Sequence, residues 1–152
     1  MTVSSISSVS NGSGLVASLF FRTATRLIEI QCQRGRIYPS RLSLKMLQYS
    51  ADHGHISAMS RLGGLLFDCG CGRADKRSGL EYIRRAAKGG DIEAQFLLGK
   101  ACFEGKITPK DCKAATHWLV LAADSGHTRA AMVLKQCENN LENADIHQVA
   151  LA

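Results

Sequence analysis

From Ile92 the small and apolar residues Ala94, Leu97, Leu98, Ala101 and Cys102 recur three and four apart, with Glu93, Gln95 and Lys100 between them. That spacing gathers them on one face of a helix that has a stripe to bury. Asp91 stands just ahead as an N-cap, and Gly89-Gly90 breaks the element before it. Gly105 and Pro109 mark a loop. Asp111 can cap a second helix carrying Ala114, Ala115, Trp118, Leu119, Ala122 and Ala123. Gly126 then ends that helix, as a residue tolerant of positive φ. The predicted unit is helix, turn, helix, turn.

The unit recurs. Ala51, Ala87 and Ala123 stand 36 residues apart, as do Gly54, Gly90 and Gly126, then Ala58, Ala94 and Ala130, and Leu62, Leu98 and Leu134. Gly63 pairs with Gly99, Phe67 with Phe103, Asp75 with Asp111, and Ala86 with Ala122 at the same offset. A fixed period of this length is the signature of a solenoid. The columns of Ala58, Gly63, Ala94, Gly99, Ala122 and Ala123 let neighbouring helices approach, and Leu62, Leu98, Tyr82 and Trp118 fill the space left between them. One helix pair cannot bury both its faces, so stacking is obligatory.

The period weakens at both ends. Projected upstream, it puts Arg22 and Arg26 in the alanine and leucine columns and Pro39 in the aspartate column. Residues 15–34 and 40–52 are therefore expected to form a degenerate first pair that caps the stack. Units at 55–90 and 91–126 follow, and a closing half-unit at 127–142. The expectation is an all-α, right-handed α/α solenoid of seven helices in about three and a half 36-residue units, spanning residues 15–142. Residues 1–14, rich in serine and glycine and without charge, are expected to form a disordered tail, and 143–152 a second tail.

These columns resemble the Sel1-like repeat family, relatives of tetratricopeptide repeats. The family pattern is carried by Ala94, Leu98-Gly99, Gly105, Asp111, Ala115, Trp118 and Ala122-Ala123. One unit earlier, Ala58, Leu62-Gly63, Asp75, Gly79, Tyr82 and Ala86-Ala87 carry it. The aromatic residue usual after Leu-Gly is replaced by Leu66 and Cys102. The resemblance implies a non-enzymatic module that holds a segment of another protein on the first helices of each pair. It places the groove on Glu93, Phe96, Lys100 and Phe103, on Ser57, Ser60, Gly64 and Phe67, and on Arg129, Met132 and Gln136. Phe67 and Phe103 share a column and read equally as packing residues. Phe96, Lys100, Arg129 and Met132 do not repeat and read as surface. Two phenylalanines and a methionine beside Lys100 and Arg129 imply a partner with apolar side chains and an acidic group. The groove is short, which leaves a second copy of the chain open as a partner.

Charge and chemistry narrow this further. The formal charge is +6, but the nineteen Lys and Arg are dispersed and few aromatics are interleaved, which argues against a nucleic-acid partner. No run of eighteen apolar residues is present to span a membrane. There is no nucleophile elbow, zincin motif, Walker loop or S-x-x-K, so no enzyme and no cofactor are expected. Cys69-Gly70-Cys71 offers two thiols one residue apart, without a second pair at zinc spacing. Cys32, Cys69, Cys71, Cys102, Cys112 and Cys137 do not follow the repeat and read as reduced thiols of a bacterial cytoplasm. His53, His55 and His127 flank the helix-ending glycines and read as turn and C-cap residues. The serine-rich start lacks the basic residues of a Sec signal but resembles a type III export leader. That opens an alternative: an exported effector or accessory factor using the same groove on a host protein.

Overall fold

The computed structural model describes residues 10–34, 39–69, 72–105 and 108–149, with side chains over 14–34, 39–68, 72–105 and 108–139. Among them seven helices follow one another and no strand occurs: α1 (Ser10–Gln33), α2 (Arg41–Asp52), α3 (Ile56–Cys69), α4 (Arg73–Lys88), α5 (Ile92–Glu104), α6 (Cys112–Asp124) and α7 (Thr128–Val149). Each helix packs on the next. The odd-numbered helices also touch one another, α3 with α5 and α5 with α7. The described residues form an α/α solenoid of three helix pairs and a seventh helix.

The repeated glycines Gly54, Gly90 and Gly126 have a conformational cause. Each follows an even-numbered helix and has φ near +85° to +88°, where a side chain is strained. At Gly90 the glycine N–H donates to the Ala87 carbonyl at 3.0 Å, and the Asp91 N–H reaches back to Ala86 at 3.1 Å. The same bonds form at Gly54 and Gly126. This double closure satisfies the last carbonyls and reverses the chain within three residues.

A second glycine column has a packing cause. A Cβ built on Gly63 would lie 2.7 Å from Ile83 Cγ1 and 2.9 Å from the Gly79 carbonyl, and one on Gly79 would lie 2.8 Å from the Gly63 carbonyl. α3 and α4 thus cross backbone against backbone. At the equivalent crossing of α5 and α6, Gly99 faces Ala115 and Leu119, and its Cβ would meet Leu119 Cγ at 2.7 Å. Around these crossings Leu62, Ile83, Leu98, Leu119 and the alanines 58, 86, 94, 122 and 130 are buried, in two clusters that share Leu97 and Cys102.

Both ends depart from the expected boundaries. α1 begins at Ser10, inside the stretch expected to be a disordered tail, because extending a helix nucleated by the apolar 15–21 run costs far less than starting one. Residues 1–9 lie outside the described residues. α7 runs to Val149, through most of the expected second tail, since no glycine or proline follows Thr128. Arg22 and Arg26 do not enter the core; they are exposed. α1 instead turns in the stripe Ala17, Phe21, Ala24 and Ile28, which is out of register with the period of 36. The buried Ser50 hydroxyl donates to the Ala17 carbonyl at 2.7 Å and ties α2 to α1. At the other end the close-packing column Gly63, Gly99 continues as Lys135, which is exposed. The close backbone crossing made at Gly63 and Gly99 is therefore not repeated at this position of α7.

Candidate protein-binding groove

The turn glycines set the geometry of the site. One residue after each of them stands the N-cap of an odd-numbered helix: His55, Asp91 and His127. Asp91 Oδ1 accepts from the Ala94 N–H at 2.9 Å, and it also accepts from the Ser60 hydroxyl on the preceding first helix at 2.7 Å. His127 Nδ1 accepts from the Ala130 N–H at 3.1 Å, which leaves Nε2–H to donate to Glu93 at 3.1 Å. Its ring stacks on Phe96 with centroids 4.4 Å apart. His55 Nδ1 accepts from the Ala58 N–H at 3.3 Å, and its ring stacks on Phe21 at 4.6 Å. One column therefore caps each helix and fastens it to its neighbour. His55 and His127 are N-caps, correcting the expectation of C-cap chemistry; His53 alone sits at a helix C-terminus, with its Nδ1–H donating to the Tyr49 carbonyl at 2.7 Å.

The outward face of the first helices differs from the expected groove register by one residue at two columns. It follows exposed Ser57, Arg61 and Asp68 with half-buried Gly64 on α3, and exposed Glu93, Lys100 and Glu104 with half-buried Leu97 on α5. A cleft of about 380 Å3 opens along it between α1, α3 and α5. Phe21, Gly64, Leu65 and Leu97 form its floor; Arg61, Asp68, Asp91 and Glu93 stand around it. Arg61, Leu65, Asp68 and Leu97 were missed in the sequence. A helical wheel shows two of them, Arg61 and Asp68: 57, 61, 64 and 68 fall at i, i+4, i+7 and i+11, one stripe of α3.

The remaining predicted residues divide accordingly. Phe96, expected at the surface because it does not repeat, is 5 % exposed and lies under His127 and the Arg129 guanidinium, 5.0 Å from its ring. Ser60 is buried in the same column, whereas Met132 on α7 is 68 % exposed. Phe67 and Phe103 are half-buried against the core: the Phe67 backbone abuts Gly79 of α4, and Lys110 covers the Phe103 ring at 5.7 Å. Lys100, Arg129 and Gln136 do lie on the exposed face. Two of these already have acidic partners. Arg129 donates to Glu93 at 3.2 Å, and Lys100 lies 3.8 Å from Glu104. Arg61 and Asp68 carry no ion pair among the described residues.

A larger cleft of about 530 Å3 opens on the opposite side, where Leu44, Leu62 and Leu66 underlie Asp75, Glu81 and Arg85. There the Tyr82 hydroxyl donates to Asp52 at 3.0 Å, and burial together with that bond pushes its ionisation above the ordinary tyrosine range. Burial, with the Asp111 carboxylate nearby, raises the Cys102 thiol; burial and the neighbouring Cys112 raise Cys137. Such thiols are held away from the reactive thiolate. Cys32, Cys102, Cys112 and Cys137 are unpaired, and no group of three metal-binding side chains occurs among the described residues. Cys71 and the Cys69 side chain lie outside them. No described helix is long and apolar enough to cross a membrane.

Comparison with known proteins agrees with this architecture. The Sel1 repeat matches residues 56–91 and 92–127, each running from the first residue of an odd helix to the next N-cap. Among solved structures, a Sel1 repeat protein from Oxalobacter formigenes superposes with a TM-score of 0.67 at 23 % identity, covering 84 % of this chain and 92 % of that one. A protective antigen of uropathogenic Escherichia coli with an SLR fold superposes with a TM-score of 0.61 at 28 % identity. That match covers 84 % of this chain and 25 % of the antigen, so the present chain spans about a quarter of that protein. Residues 56–127 are thus two consecutive Sel1 repeats, set between a divergent helix pair and a seventh helix in a chain that is similar to Sel1 repeat proteins along most of its length.

Proposed function

We propose that this chain is a non-enzymatic adaptor, chaperone or regulatory module that holds a segment of another protein in the cleft between α1, α3 and α5. The observation that carries this reading is the stripe of exposed Ser57, Arg61 and Asp68 around half-buried Gly64. It lies over an apolar floor, and its two charged residues have no internal partner. Repeats of this family act as protein-interaction modules, which supports the reading. A photocrosslinking amino acid at position 61 or 100 should capture the partner in cells, and the same group at Arg77 on α4 should not. Equal capture from both faces refutes the groove.

A second reading rests on residues 1–28, which are serine-rich and hold no acid. Under it, the chain is exported and uses the same cleft on a host protein; the likeness to a protective antigen is in keeping with this. Fusing residues 1–20 to a reporter in a type III-competent strain tests it, and retention of the reporter inside the cell removes it.

A further inference from the structure

Resting on the groove reading above, we infer the chemistry of the segment it takes: an extended stretch bearing a carboxylate and a cation three residues apart, with apolar residues between them. Three observations on α3 lead there. Arg61 and Asp68 share one face, seven residues apart, so at 1.5 Å per residue their positions lie about 10 Å apart along the helix. Both are exposed, and neither forms an ion pair among the described residues, in contrast to Glu93 with Arg129 and Lys100 with Glu104.

Between them sits Gly64. A glycine inside a helix is unfavourable by about 0.5–1 kcal/mol relative to alanine. Gly63 earns its place by packing, but Gly64 does not: an added Cβ would meet only Leu97 Cδ1, at an ordinary 3.6 Å, and its φ is not positive. The absent side chain leaves the middle of the cleft floor open to a close neighbour. A chain in the polyproline II conformation repeats every third residue and rises about 9 Å over three residues, which matches the spacing from Arg61 to Asp68. Its acidic side chain would meet Arg61, its basic one Asp68, and the residues between would rest on Gly64 and Leu97.

The test is calorimetric titration of the full chain with synthetic peptides built on a Glu-Ala-Leu-Lys core. The controls are a Gln-Ala-Leu-Gln twin and a Glu-Ala-Leu-Glu twin. The Glu/Lys peptide should bind at least tenfold more tightly than the neutral twin, with the advantage shrinking as salt is added. Asp68→Lys should reverse the preference toward the diacidic peptide, and Gly64→Leu should remove binding while far-UV circular dichroism stays native. Equal binding of all three peptides, or an unchanged preference in Asp68→Lys, overturns the charge assignment. In that case loss of binding in Gly64→Leu still upholds the groove. Binding that survives Gly64→Leu, or no binding by any peptide, overturns the inference, and crosslinking from position 61 then decides the groove reading by itself.

Discussion

Gly63 and Gly64 are neighbours on α3, and the same substitution at each should move stability in opposite directions. At Gly64 the new methyl group finds open space with one contact at 3.6 Å. Gly64→Ala therefore gains about 0.5–1 kcal/mol from helix propensity, with no packing loss to set against it. At Gly63 the methyl would lie 2.7 Å from Ile83 Cγ1, 2.9 Å from the Gly79 carbonyl oxygen and 2.9 Å from the Ile83 nitrogen. Two of those atoms are α4 backbone, so relief requires the whole helix to move rather than one side chain to turn. Overpacking of this kind costs about 1–3 kcal/mol, and the backbone involvement points to the upper half of that range. Subtracting the propensity gain leaves Gly63→Ala destabilised by about 1–2 kcal/mol. For a chain of this size the expected shifts are a rise in Tm of about 2–3 °C for Gly64→Ala and a fall of about 3–6 °C for Gly63→Ala. Thermal and urea unfolding followed by far-UV circular dichroism would measure both. A Gly63→Ala protein as stable as the parent would refute the close crossing of α3 and α4, and a destabilised Gly64→Ala would refute the open floor of the cleft.

Gln95 is buried, its amide nitrogen reaches the Ala87 carbonyl only at 3.5 Å, and its Oε1 has no partner. Since Met59 fills the same column one unit earlier, Gln95→Met should raise stability by about 1–3 kcal/mol in urea melts. Asp91→Ala removes a helix cap and leaves the buried Ser60 hydroxyl without its acceptor, which should cost about 2 kcal/mol or more, while Asp91→Asn should retain most of that. The raised ionisation of Tyr82 stabilises the fold at pH values below the ordinary tyrosine range, and that contribution is lost as pH rises through the folded-state value. An alkaline titration of phenolate absorbance should show a late-ionising component that is absent in Tyr82→Phe. Lys100→Glu should leave the melting curve unchanged, because Lys100 is exposed and held only by a 3.8 Å surface pair. The same is not true of Phe96→Ala, which opens the α5–α7 contact and should lower stability by about 3 kcal/mol.

The period of 36 made most of the fold legible. It located the turn glycines, the alanine columns and the Leu-Gly pairs, because those residues are dictated by requirements that recur in every unit: a positive φ, a close backbone crossing, a filled gap. The first pair was readable only as degenerate. Its packing stripe at Ala17, Phe21, Ala24 and Ile28 is out of phase with the later units, and a projection at fixed spacing cannot find it.

What the sequence by itself determined is thus the unit, its turns and its helix-pair crossings, each set by contacts within one repeat or with an identical neighbour. What the tertiary structure alone decided is the fate of columns whose neighbours differ. Ser60, Phe96 and Met132 occupy one column, yet the first is buried under a bond to Asp91, the second under the His127 ring, and the third is exposed on α7. The same holds for the groove. Whether a residue at a non-repeating position faces inward depends on which side chain the next unit sends across to meet it. That is a property of two helices brought together by the stack, and neither helix carries it alone.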